Sequence, residues 1–172
     1  MKQLSVLLFA ILAFMQIANA QNLTSVDFSA RDIDGEDRSF QEFLQQVRGS
    51  EDSPKKGVVI ISFWALWCKP CKEEMKAIQP IFEQHADKNI HFLAINTDKP
   101  RSIAKVKAYV KSQGYPYEFW LDPNSEVFNK LNGQSMPYSL ILNEKGELLK
   151  KSVGFIAGDE EHVEEVMMGY LE

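Results

Sequence analysis

The sequence predicts an α/β fold: a mixed central β-sheet with helices on both faces, in three layers. Three observations lead there. Gly57–Trp64 (GVVIISFW) and Ile90–Asn96 (IHFLAIN) are continuous apolar, β-branched runs, as expected of strands covered on both sides. Segments of helical periodicity follow each of them, and strand–helix alternation implies parallel pairing through right-handed crossovers. Near the C-terminus, two strand-like runs flank Asn143-Glu144-Lys145-Gly146, a hairpin that adds antiparallel strands.

In chain order, the first element is a leader. Met1-Lys2 carries one positive charge, and the fourteen residues Leu4–Ile17 are apolar apart from Ser5 and Gln16. That is short of the roughly 20 residues a spanning helix needs. Ala18-Asn19-Ala20 puts small residues at both positions a signal peptidase reads. The expectation is a signal peptide over residues 1–20, cleaved after Ala20 rather than retained as an anchor. A periplasmic or secreted domain over residues 21–172 remains, with no stable membrane insertion. Its 152 residues (172 − 20) suffice for one domain with a sizeable core.

Val26–Ala30 alternates as a strand, Asp34-Gly35 marks a turn, and Phe40, Phe43, Leu44 and Val47 space a helix near Ser39–Arg48. Gly49–Lys56 (GSEDSPKK) reads as an exposed loop. After the first buried strand, Cys68–Ala86 is a helix with Met75, Ile78 and Phe82 on one stripe. Pro70 sits in its first turn, and Pro80 is expected to kink it. Pro100 opens a helix carrying Ile103, Val106 and Val110 that stops at Gly114. Tyr117–Leu121 is expected as a short edge strand and Ser125–Leu131 as a short helix. The hairpin strands are Tyr138–Leu142 and Glu147–Val153, with Gly146 suited to positive φ. Asp159–Leu171 closes the chain as a helix with Val163, Val166, Met167 and Tyr170 inward.

Charge narrows the function classes. The formal net charge is −5, and loss of Lys2 takes it to −6 (18 basic against 24 acidic residues). A mildly acidic chain with mixed charges has no electrostatic footprint for nucleic acid.

The only two cysteines, Cys68 and Cys71, stand two residues apart in SFWALWCKPCKEEM. A bridge across so small a loop is a poor staple, because loop-closure stabilisation grows with loop length. A structural zinc site needs four ligands, and His85, His91 and His162 are scattered, so no metal ligand is assigned. One histidine completing a copper site in space stays open. The remaining use is redox. Cys68 follows a buried strand and starts a helix, where unpaired N–H groups and the dipole favour the reactive thiolate; Lys69 acts in the same direction. Cys71, one turn further in, is placed to resolve a mixed disulfide formed on Cys68.

These residues resemble the active-site segment of thioredoxin-fold proteins, most of all the TlpA/ResA-like family of exported thiol-disulfide oxidoreductases. VDFSARDIDGEDRSF, AINTDKP and SMPYSLILNEKGELL are similar to further segments of that family, so the likeness spans nearly the whole mature chain. It implies a thioredoxin-like fold with Cys68 as nucleophile and Cys71 as resolving cysteine. Trp67 shapes the docking surface. Met136 precedes Pro137, the family's cis-proline, which faces the sulfurs beside a substrate strand. Glu74 matches an acid the family uses in proton transfer and partner recognition, with Glu73 the weaker alternative.

Three departures stand out. Ser62 occupies the position of a buried Asp in thioredoxin, so that proton route is expected to be missing. Lys76 stands where the family often has Pro, and GSEDSPKK is an insertion. The resemblance implies a protein-disulfide reductase without cofactor, acting on thiol- or disulfide-bearing exported proteins in the manner of cytochrome c maturation and fed by a membrane electron donor. The alternatives are a copper chaperone using the same cysteines or a disulfide isomerase or oxidase. A peroxidatic role ranks last: Ala65 stands where that chemistry usually has threonine.

Overall fold

The computed structural model describes residues 27–172; the expected leader and Val26 lie outside the described residues. Nine strands and five α-helices follow one another: β1 (Ser29–Asp32), β2 (Asp37–Ser39), α1 (Phe40–Arg48), two two-residue strands β3 (Gly49–Ser50) and β4 (Ser53–Pro54), and β5 (Val58–Trp64). Then come α2 (Lys69–Gln84), β6 (Ile90–Asn96), a 3-10 turn (Pro100–Ser102) running into α3 (Ile103–Gln113), β7 (Glu118–Leu121), α4 (Glu126–Lys130), β8 (Tyr138–Asn143), β9 (Leu148–Val153) and α5 (Asp159–Leu171). The main sheet has the order β2-β1-β7-β6-β5-β8-β9. Strands β5, β6 and β7 run parallel, and the β8–β9 hairpin adds antiparallel strands at one side, as the alternation predicts.

Strand β5 shows why the sheet has two cores. All seven of its residues are buried, and successive side chains go to opposite faces. Val58 and Ile60 pack against Met75, Ile78, Val106, Val163 and Met167 from α2, α3 and α5. Val59, Ile61 and Phe63 pack against Phe40, Phe43, Leu44 and Val47 of α1, with Val127 of α4. The result is the expected three-layer arrangement.

Two expectations change. The first strand lies at Ser29–Asp32 rather than Val26–Ala30, because Phe28 turns into the core and stacks on Phe40 at 4.6 Å. The Asp32 carboxylate then gathers the N–H groups of Asp34, Gly35 and Glu36, fixing the turn that leads to β2. Consequently β7 is not an edge: β1 pairs with it antiparallel, Arg31 opposite Leu121 and Asp32 opposite Trp120. The exposed insertion folds back on itself through β3 and β4. Helix α2 continues through Pro80 to Gln84 as one helix.

Candidate active site

Strand β5 ends at Trp64, and Ala65-Leu66-Trp67 leads into α2, whose N-cap is Cys68. The Cys68 Sγ accepts a hydrogen bond from the Cys71 N–H at 3.3 Å, so the sulfur sits where the helix presents unpaired donors. Cys68 and Cys71 are joined as a disulfide, with Cα atoms 5.4 Å apart. Both are buried, Cys68 at 3% exposure and Cys71 at none. Trp67 beside them is 72% exposed. Lys69 points outward and pairs with Glu73 at 3.4 Å, so its charge is shared with a carboxylate at the surface.

Strand β8 pairs with β5, placing Tyr138 opposite Phe63 and the residues just before Tyr138 beside the cysteine loop. The Met136–Pro137 peptide is cis. The Pro137 carbonyl accepts from the Gly154 N–H at 2.8 Å, which brings the end of β9 to the same rim. That contact adds residues the sequence reading missed: Val153, opposite Tyr138, and Ile156 are 52% and 73% exposed. With Trp67 they are the large apolar side chains left open to solvent among the described residues. The signal available was the apolar VGFI run continuing past the end of the strand.

Glu74 is where the structure says most beyond the sequence. It is 3% exposed, turned inward from α2 against the sheet. Ser62 Oγ lies 2.5 Å from Glu74 Oε2, Ser139 Oγ 2.6 Å from Oε1, and the two hydroxyls are 3.1 Å apart. Ser62 and Ser139 are direct cross-strand partners on β5 and β8, so the sheet register itself makes this cradle. The serine expected to leave the site without a buried acid instead receives one from the facing helix. Burial pushes the Glu74 carboxyl above the usual carboxylate range, against the opposing pull of the Ser139 and Ser62 hydrogen bonds. Proton counting agrees. Three oxygen–oxygen contacts need three O–H protons; two serines supply two, and a protonated carboxyl supplies the third. Glu74 and Ser139 also line a cavity of about 270 Å³ between the sheet and α5, with Ile78, Asp159, His162 and Val163.

Each histidine is engaged elsewhere: His85 with Glu164 at 2.6 Å, His91 with Asn89 at 2.9 Å and His162 with Glu165 at 2.8 Å. Among the described residues, no three His, Cys, Asp or Glu side chains converge in a way that could hold a metal ion.

Comparison with known proteins agrees with this geometry. The family described as AhpC/TSA matches residues 24–151, which include both cysteines and Pro137. The chain is similar to the sporulation thiol-disulfide oxidoreductase A of Bacillus subtilis, 28% identical over 114 residues, covering 64% of this chain and 69% of the relative. It is also similar to the thiol-disulfide oxidoreductase ResA of Halalkalibacterium halodurans, 26% identical over 143 residues, covering 83% and 73%. The crystal structure of StoA from Bacillus subtilis superimposes with a TM-score of 0.58 at 26% identity, covering 82% of this chain and 96% of that one.

Proposed function

The chain belongs to the AhpC/TSA family, in the thioredoxin-fold branch with the ResA and StoA thiol-disulfide oxidoreductases, and on that premise we propose that it reduces disulfides of specific exported partner proteins. The observation that carries the reading is the Cys68–Cys71 pair at the mouth of α2, beside the cis Met136–Pro137 peptide.

In the reduced enzyme, the Cys68 thiolate attacks one sulfur of a partner disulfide. A mixed disulfide forms, and the partner's other sulfur leaves as a thiolate. Cys71 then loses its proton and attacks the Cys68 sulfur, releasing the partner's second thiolate and leaving the Cys68–Cys71 disulfide. Two electrons pass to the partner, whose thiolates take up protons. Glu74 is the base that receives the Cys71 proton and returns it on re-reduction. Its raised affinity for a proton matches that task, and the three-oxygen ring is complete in the protonated form that follows resolution. Trp67, Met136 and Pro137 form the docking surface, extended by Val153 and Ile156. The leader-like sequence over residues 1–20 supports export, and a membrane dithiol donor would restore the reduced form.

Cys71→Ser tests the reading. It should accumulate partner proteins disulfide-linked to Cys68 when expressed in place of the natural chain, releasable by dithiothreitol. Absence of both trapped partners and insulin disulfide reduction by the unmodified protein would sink it. A redox titration against glutathione or dithiothreitol buffers fixes the direction: a reducing potential supports the reductase, an oxidising one an oxidase or isomerase.

A further inference from the structure

The loop that carries Trp67 and Cys68 is held from the side by a segment that the reaction does not use. We propose that Asn96-Thr97-Asp98, at the end of β6, is a positioning bracket that sets the cysteine loop against Met136-Pro137 so that a macromolecular disulfide can dock. The inference rests on the oxidoreductase reading above and goes on to name the residues that align its docking surface.

The contacts converge on one residue, Leu66. The Leu66 N–H donates to Asp98 Oδ2 at 2.7 Å, and the Leu66 carbonyl accepts from Lys72 Nζ at 2.9 Å. Leu66 is two residues before Cys68, so fixing both polar groups of this residue fixes the approach of the chain to the sulfur. Asp98 is itself locked: Asn96 Nδ2 donates to the same Oδ2 at 2.9 Å, and the Asp98 N–H donates to Asn96 Oδ1 at 3.1 Å. Asn96 is 1% and Asp98 7% exposed, so the carboxylate–amide contact is shielded from water, where a hydrogen bond to a charged group is among the stronger ones. Between them, the Thr97 N–H donates to the Trp64 carbonyl at 2.9 Å, and Thr97 Oγ1 lies 3.3 Å from Met136 Sδ. One three-residue segment thus touches the strand before the cysteines, the loop that carries them, and the residue before Pro137. Asn96 can serve because it pairs with Trp64 at the end of the parallel β5–β6 ladder, where both strands emerge from the sheet. Asp98 touches neither sulfur in these contacts; its role is to place the loop.

A small disulfide needs only access to the Cys68 sulfur, whereas a protein disulfide needs Cys68 and Met136-Pro137 in register. The test is therefore a ratio of second-order rates, insulin disulfide against glutathione disulfide, for the full chain reduced with dithiothreitol. Asp98→Ala should lower the insulin rate about tenfold, the scale of one lost charge-assisted hydrogen bond, and the glutathione disulfide rate less than about threefold. Asp98→Asn keeps an oxygen for both donors and should recover most of the insulin rate. In parallel, hydrogen exchange of the Leu66 amide should accelerate at least about tenfold in Asp98→Ala, with the Ile60 and Ile61 amides unchanged. Equal losses on both substrates, or an unchanged ratio with an unchanged Leu66 amide, overturns the bracket. Should Asp98→Ala fail to fold, Thr97→Val applies the same rate ratio. If the unmodified protein reduces neither disulfide, the oxidoreductase reading fails, while the Leu66 exchange measurement still decides whether Asp98 holds the loop.

Discussion

The two faces of the sheet are built from the same strands yet serve different ends. On the α1 and α4 side, Phe40, Phe43, Leu44, Phe63, Trp120 and Leu140 make a wholly apolar core tiled with aromatic contacts, including Phe28 on Phe40. On the α2, α3 and α5 side the core is also built of apolar side chains, but it encloses the Ser62–Glu74–Ser139 ring and backs onto both cysteines. The strands alternate, so one buried run supplies both faces. A polar residue at an even position of β5 changes one face and leaves the other intact. Stability and chemistry are thereby separated across about one sheet thickness.

The comparison can be broken most forcefully at the sulfurs. Cys68→Ser should reduce disulfide exchange to background while leaving the apolar face and the far-ultraviolet circular dichroism unaltered; residual exchange near the unmodified rate would show that the chemistry lies elsewhere. Next comes Phe40→Ala on the opposite face, where a buried aromatic is deleted at 1% exposure. Urea unfolding should report a loss of about 3–5 kcal/mol, with the exchange rate per folded molecule within about twofold. A proportionate fall in rate would show the two faces to be coupled.

Glu74→Gln sharpens the contrast from the active side. Resolution of the mixed disulfide should slow by about a hundredfold, the lower range for a lost acid–base group. Its pH signature is separate from that rate. A carboxyl whose folded-state pKa is raised adds stability that is complete below the ordinary carboxylate pKa and is lost as pH rises through the raised value. The oxidised protein should therefore weaken with rising pH in that window, by at most about 1.4 kcal/mol per pH unit, and Glu74→Gln should flatten the dependence. Ser139→Ala removes one hydroxyl from the ring and should cost about 1 kcal/mol. At the small end, Arg31→Ala breaks an exposed pair with Asp37, whose partners are 71% and 84% exposed, and should leave the unfolding midpoint unchanged within error.

What could be read from the sequence follows the range of the interactions. Periodicity located α1, β5, β6, α5 and the C-terminal hairpin, because burial of a face is a local pattern. It placed β7 at an edge because the strand that covers it, β1, arrives from some ninety residues upstream and leaves no mark near Tyr117–Leu121. Cys68, Cys71 and Pro137 were legible through spacing and resemblance. Glu74 was half legible. It lies three residues after Cys71 and four before Ile78, on the buried side of α2, a helical spacing that already points inward. Its partner Ser139 is 65 residues away in sequence, and that meeting is made by the β5–β8 register alone. The hold of Asp98 on Leu66 is of the same kind, a contact across 32 residues that only the fold brings about.

In the proposed reaction Cys68 supplies the attacking sulfur, and in the structure it is the cap of α2, its sulfur receiving the Cys71 amide. During exchange, a partner bonded to that sulfur becomes covalently continuous with the end of a sixteen-residue helix. Whatever strain or motion the guest brings is then felt first at the backbone amides of Lys69 and Cys71, which flank Pro70. Those amides are a built-in gauge: their exchange or chemical shifts should read out, residue by residue, whether the enzyme is free, loaded or spent.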